Sequence, residues 1–223
     1  METFATRPEP DQAFDLAIEF LHTKFGAVDG SPDGPMRLDD YNDLVDWATK
    51  FGVIGADEAL RLRRAARREP AAVRAAYGRA VEFRAALDTV LRSLIEGRQP
   101  SVTPLAVLRK HEAGALGAAQ LVPTPGGFAW TWGSESGPER PLWPVVHAAI
   151  ELMTSGPLER VKACALCQFL FIDRSKNQSR RWCSMAACGT TEKMRRYTER
   201  RAAKRLAWPV GTAGGSSEAD RER

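Results

Sequence analysis

Cys164-Ala-Leu-Cys167-Gln-Phe-Leu-Phe-Ile-Asp-Arg-Ser-Lys-Asn-Gln-Ser-Arg-Arg-Trp-Cys183-Ser-Met-Ala-Ala-Cys188-Gly189 is the stretch on which the fold turns. It is a C-x2-C-x15-C-x4-C array and holds all four cysteines of the 223-residue chain. In a reducing compartment, clustering of this kind points to a bound metal rather than a disulfide framework. Four soft thiolates close a tetrahedral zinc site and leave no coordination position for water. The expectation is one structural Zn2+ held by Cys164, Cys167, Cys183 and Cys188. Iron in a rubredoxin-like site is the alternative metal, and four unliganded thiols are the reading without one.

The residues around the ligands suggest how they are held. Phe169-Leu-Phe-Ile172 reads as a short strand, and Ser175 to Ser179 supplies turn residues. Cys183 and Cys188 are five positions apart, about 140° around a regular α-helix, so they cannot both face one metal from such a helix. An irregular turn is expected there, followed by a helix with Thr190 or Thr191 as N-cap and Glu192 in its first turn. Knuckle, short β element, second knuckle and helix make a treble-clef-like module.

Charge separates this module from the rest of the chain. Residues 159–208 carry thirteen Lys or Arg against Glu159, Asp173, Glu192 and Glu199, a net +9, so the remainder carries −5 of the overall +4. On the C-terminal helix, Lys193, Arg196, Arg200 and Lys204 share one stripe, Arg201 and Arg205 widen it, and Arg195 points away. Apolar residues there do not gather into a core-facing band. Such a helix suits phosphate tracking or entry into a groove, its alternative being a solvated charged surface. Arg174, Lys176, Arg180 and Arg181 add cations to the same module. The candidate nucleic-acid contacts are therefore Arg174, Lys176, Arg180, Arg181, Lys193, Arg195, Arg196, Arg200, Arg201 and Lys204.

Upstream, the chain reads as mainly α-helical with one small β-hairpin. Phe14, Ile18, Leu21 and Phe25 recur at helical spacing, with Gly26 as a stop. Asp39 or Asp40 caps a helix closed by Gly52, and another runs from Ala56–Asp57 to before Pro70. A long helix follows from Pro70 to Gly97, with Val73, Tyr77, Val81, Leu87, Val90, Leu91 and Leu94 apolar. Thr103-Pro104 resembles an N-cap with proline at the first helical position. Gln120 to Val122, a Pro/Gly turn and Phe128 to Trp132 read as a hairpin, and Leu142 to Thr154 returns to helix. The expected layout is a disordered end at 1–10, a helical domain at 11–157 with the hairpin near 119–132, the finger with its basic helix at 158–208, and a disordered tail at 209–223.

Several classes are disfavoured. No leader-like or bilayer-length apolar segment is visible, which suggests a cytoplasmic protein without a membrane partner, nucleoid-associated if it binds DNA. His22, His111 and His147 are scattered without ligand spacing, and no P-loop, GxGxxG or GxSxG element occurs, so nothing argues for an enzyme. The run Arg61, Arg63, Arg64, Arg67, Arg68 reads as a solvated helix face.

Residues 164–189 with the trailing basic helix resemble the CGNR zinc-finger family through FIDxSxNxSRRWCSMxxCG. The family's Asn-Arg after Cys-Gly is here Thr190-Thr191, which keeps a capping side chain and loses an arginine able to bind phosphate or guanine. The preceding region is similar to the helical ABATE domain, with Leu16-Ala-Ile-Glu-Phe-Leu-His-Thr23 in place of its LxLDFxNT-like opening and a Leu/Trp helix at Leu44–Trp47. Glu19 and His22 stand where that family tends to have Asp and Asn. The resemblance implies a bacterial, stress-induced transcription regulator, with zinc on the four cysteines and the finger on DNA. Two other readings stand beside it: a module docking on an acidic protein such as the transcription machinery, and a thiol redox switch. A homodimer through the helical domain is also open.

Overall fold

The computed structural model describes residues 10–25, 36–133 and 137–206. The expected disordered ends and the stop at Gly26 lie, apart from Pro10, outside the described residues. Among the described residues there are seven α-helices and two small antiparallel hairpins: α1 Pro10–His22, α2 Tyr41–Lys50, α3 Ala56–Arg68, α4 Pro70–Ile95, α5 Val102–Gly117, β1 Ala119–Thr124, β2 Gly127–Trp132, α6 Trp143–Thr154, β3 Val161–Ala163, β4 Leu170–Ile172 and α7 Thr190–Leu206. The mainly helical class is as expected, with a second hairpin that the sequence did not reveal.

Local chemistry accounts for most boundaries. Asp40 caps α2, its carboxylate accepting from the amides of Asn42 and Asp43 while the Asp43 side chain accepts from the amide of Asp40. This reciprocal box satisfies amides that the helix leaves without partners. Gly52, at φ +68°, reverses the chain after α2 in a conformation that a Cβ would strain. Pro70 opens α4 at a position where its missing N–H costs nothing. The α5 helix starts two residues before the expected site, with Ser101 as N-cap and Thr103 already inside the helix.

The chain divides into two compact units, residues 1–183 and 184–223. In the first, α1, α4 and α6 supply much of the core, where Phe20, Trp47, Phe83, Leu87, Leu91, Val145 and Leu152 are buried. Trp47 meets Phe20 edge-to-face with ring centroids 5.2 Å apart. On α4 the buried positions include Ala76 and Ala80, whereas Val73, Tyr77 and Val81 are only half-buried. Small side chains face the neighbouring helices there, allowing close approach, and the larger ones flank the contact. Truncating Trp47 to alanine should destabilise this unit by about 3–5 kcal/mol. Thermal unfolding should register this as a drop of roughly 10 °C.

The second hairpin belongs to this same core. Val161, Leu170 and Ile172 are buried with the helices, with β3 packed against α4 and β4 against α1. His22 is the link: its Nε2–H donates to the Leu170 carbonyl at 2.7 Å, and its ring stacks on Phe169 at 4.7 Å. The other two histidines are likewise paired within the body, His111 with Glu82 at 3.3 Å and His147 with Glu112 at 2.8 Å.

In the second unit, a π-turn at Met185–Gly189 runs directly into α7. Ser184 is the cap, its hydroxyl accepting from the Ala187 amide at 3.2 Å. Thr190 has helical dihedrals of φ −67° and ψ −45°. The expected cap at Thr190 or Thr191 is therefore corrected to Ser184, six residues earlier. The Thr190 hydroxyl instead donates to the Met185 carbonyl at 3.2 Å. The wide turn supplies the irregularity that the five-residue cysteine spacing requires.

Candidate metal centre and cationic helix

The β3–β4 register, Val161 opposite Ile172 and Ala163 opposite Leu170, brings the chain to Cys164 at one end of the hairpin. The Cys164 amide donates to the Phe169 carbonyl at 2.8 Å, and the Gln168 amide returns to the Cys164 carbonyl at 3.1 Å. Gln168 adopts φ +64°, which closes the knuckle around Cys164 and Cys167. The returning segment is pinned by Ala165 N–H to the Arg181 carbonyl at 2.9 Å. Arg180 donates to the Cys183 carbonyl and lies over the Phe171 ring, 5.3 Å from its centroid.

The Sγ atoms of Cys164, Cys167, Cys183 and Cys188 all lie within 4.8 Å of one another, and Cys167 and Cys183 are 3.6 Å apart. Zinc–sulfur bonds of about 2.3 Å in a tetrahedron require sulfur–sulfur edges of about 3.8 Å, so the spacing fits. The group contains no histidine or carboxylate. Burial pushes the Cys164 thiol up, but the amides of Cys167, Cys183 and Leu166 and the Cys167 side chain pull harder, bringing it down to about 6. A thiol so disposed is readily converted to the thiolate that a metal binds. The donor set supports one structural zinc, whose filled coordination would hold the two knuckles together.

Asp173, which sequence reasoning left without a role, organises the loop between the knuckles. Its buried carboxylate accepts from Lys162 Nζ at 2.7 Å, from the Ser175 amide and hydroxyl at 3.0 and 2.6 Å, and from the Arg180 amide at 2.9 Å. Burial raises its pKa, and these donors outweigh that, holding it well below the usual carboxylate range. The Asp-x-Ser spacing is an Asx-type turn signal that could have marked it. Because its folded value is depressed, its stabilisation is present above the ordinary aspartate value near 3.9 and is lost as pH falls through the folded value. Asp173→Asn should keep one zinc per chain but loosen the loop between the knuckles, read as faster proteolysis after Arg174–Arg181. The neutral amide no longer holds the Lys162 ammonium and the Ser175 and Arg180 amides together.

The ten candidate nucleic-acid contacts fall into different environments. Arg174 pairs with Asp15 at 2.7 Å, and Arg180 is committed to the Cys183 carbonyl. Lys176 and Arg181 are exposed, the latter over the Trp182 ring at 5.4 Å. On α7, Glu192 is buried and receives Arg195 on both oxygens at 2.9 and 3.0 Å and Arg196 at 2.8 Å. These arginines hold Glu192 down to about 2. Arg195 also reaches Glu199 at 2.7 Å. Lys193, Arg200, Arg201, Lys204 and Arg205 are exposed, and none has an ion pair among the described residues. Every described side chain from Lys193 to Arg205 is exposed.

A helical domain followed by a four-thiolate centre and a cationic helix is the layout of a zinc-finger protein. Two family models match the chain: the CGNR zinc finger over residues 160–201, and ABATE, described as "Putative stress-induced transcription regulator", over residues 15–156. The second spans more than half of the chain, which belongs to the ABATE family and carries a CGNR zinc finger. No curated protein matches it. Among the described residues no helix is long and apolar enough to cross a membrane.

Proposed function

We propose that this chain is a zinc-stabilised, DNA-binding transcription regulator of the cytoplasm, without enzymatic activity. The observation that carries this reading is the exposed face of α7, where five cations have no acidic partner among the described residues. Cations so placed attract a polyanion and neutralise phosphates. The four-thiolate centre supports the turn that begins this helix, and the family description supports regulation under stress. Replacing the family's Asn-Arg by Thr190-Thr191 shifts the work of DNA contact toward residues 193–205. Genome-wide crosslinking of the tagged protein tests the reading, with Cys183→Ser as control. Enrichment at discrete sites that vanishes in the variant is the expected result, and no enrichment above background in the wild type overturns it.

A second reading rests on Met185, Met194 and Tyr197, which are all more than half exposed in the same unit. Apolar side chains among cations also suit an acidic protein surface, such as one in the transcription machinery. Association with a protein partner that survives nuclease treatment would favour this reading over direct DNA binding.

A further inference from the structure

The β1–β2 hairpin exposes a surface that the DNA-binding reading leaves unused. Leu121, Phe128 and Trp130 are 54, 63 and 43 % exposed, and the register sets Leu121 opposite Trp130 and Pro123 opposite Phe128 on one face. Residues 113–134 contain no charged side chain and no histidine, in a chain where 27 % of residues are charged. Exposed apolar strands without gatekeeping charge invite further strand pairing.

The turn determines which edge is open. Thr124 and Gly127 close a two-residue connection through Pro125-Gly126, so their pair is hydrogen-bonded and the bonding alternates from there. The outward backbone groups are then those of Leu121 and Pro123 on β1, and of Phe128 and Trp130 on β2. Pro123 has no N–H to offer, which blunts the β1 edge. Farther along β2, the Trp132 carbonyl is already taken by Arg140 Nε at 2.8 Å. Among the described residues, Phe128 and Trp130 are left with a complete set of outward donors and acceptors. Among the described residues no third strand pairs with this sheet.

We infer that β2 pairs antiparallel with β2 of a second copy of this chain, about a two-fold axis at Ala129. Phe128 of each copy then lies opposite Trp130 of the other, and a four-stranded sheet forms in the order β1-β2-β2-β1. Two observations select a second copy as occupant. A neutral apolar edge complements another neutral apolar edge, and contact at this uncharged strip keeps the acidic residues of two bodies apart. The pairing also closes, because the outer edges of the four-stranded sheet are the proline-blunted β1 strands.

The contact is smaller than a standard interface, so the full zinc-loaded chain should dimerise in the micromolar range, with a Kd of about 10 µM. Sedimentation equilibrium between roughly 1 and 200 µM measures it. Phe128→Lys and Trp130→Glu should each weaken association by about 10-fold or more. Phe128→Lys should leave thermal unfolding unchanged, since Phe128 is 63 % exposed, whereas Trp130→Glu should lower it slightly, since the Trp130 ring lies 6.4 Å from that of His147. Mixing the two variants should restore dimerisation, because opposite charges then face each other across the strand pair. A wild-type chain that stays monomeric throughout overturns the proposal and leaves the face to a different partner. Variants that associate as tightly as wild type also overturn it, and a mixture no tighter than either variant alone overturns the Phe128–Trp130 register.

Discussion

Cys183→Ser should abolish stoichiometric zinc, lowering affinity by roughly three orders of magnitude, whereas the wild type should hold one zinc per chain. A structural four-thiolate site contributes its binding free energy, on the order of 10 kcal/mol in small zinc modules, to local folding. The loss should remain local. The helical core around Phe20, Trp47, Phe83 and Leu87 contains none of the ligands, and its thermal unfolding should persist. The α7 helix is different, because none of its described side chains from Lys193 to Arg205 is buried. Helices of that length are marginal in water without tertiary support, so α7 should fray once its leading turn is released. Metal analysis and proteolysis together read this out: zinc near one per chain falling to near zero, and cleavage after Arg195–Arg205 accelerating. A variant that keeps one zinc per chain would contradict the assignment of Cys183.

Removing positive charge from α7 should have unequal effects at positions that look equivalent in the sequence. Arg200→Ala combined with Lys204→Ala should weaken duplex DNA binding by about 100-fold near physiological salt and reduce the salt slope by about 2. Arg195→Ala should leave the slope nearly unchanged, because Glu192 and Glu199 already occupy that guanidinium. Arg196 belongs with Arg195, through its bond to Glu192. If Arg195→Ala lowers the slope as much as the double variant, the division between committed and available cations is wrong.

The differing fates of these arginines show where reading the sequence stops. Spacing placed Lys193, Arg196, Arg200 and Lys204 on one stripe, and the helix bears this out, but spacing alone could not show that one buried carboxylate would tie up Arg195 and Arg196. The four ligands were legible because their chemistry and clustering leave few alternatives. Helix limits were legible where Asp40, Gly52, Pro70 and Gly97 punctuate the chain. Strand β3 was not, since three residues, Val161-Lys162-Ala163, carry too little alternation to register. Its place in the first unit rests on packing between residues far apart in sequence, β3 lying against α4 with Val161 buried in the helical core. The cap at Ser184 was missed for another reason. A π-turn delays the regular helix by several residues, and no residue pattern announces one.

The central claim is that a zinc-held cationic helix binds DNA, and titration of duplex DNA at several salt concentrations tests it most directly. With five to seven phosphates neutralised, log affinity should fall linearly with log salt at a slope of roughly −4 to −6. Chelation of the zinc should abolish that binding. Binding that is undetectable at low salt, or that does not change with salt, would contradict the account.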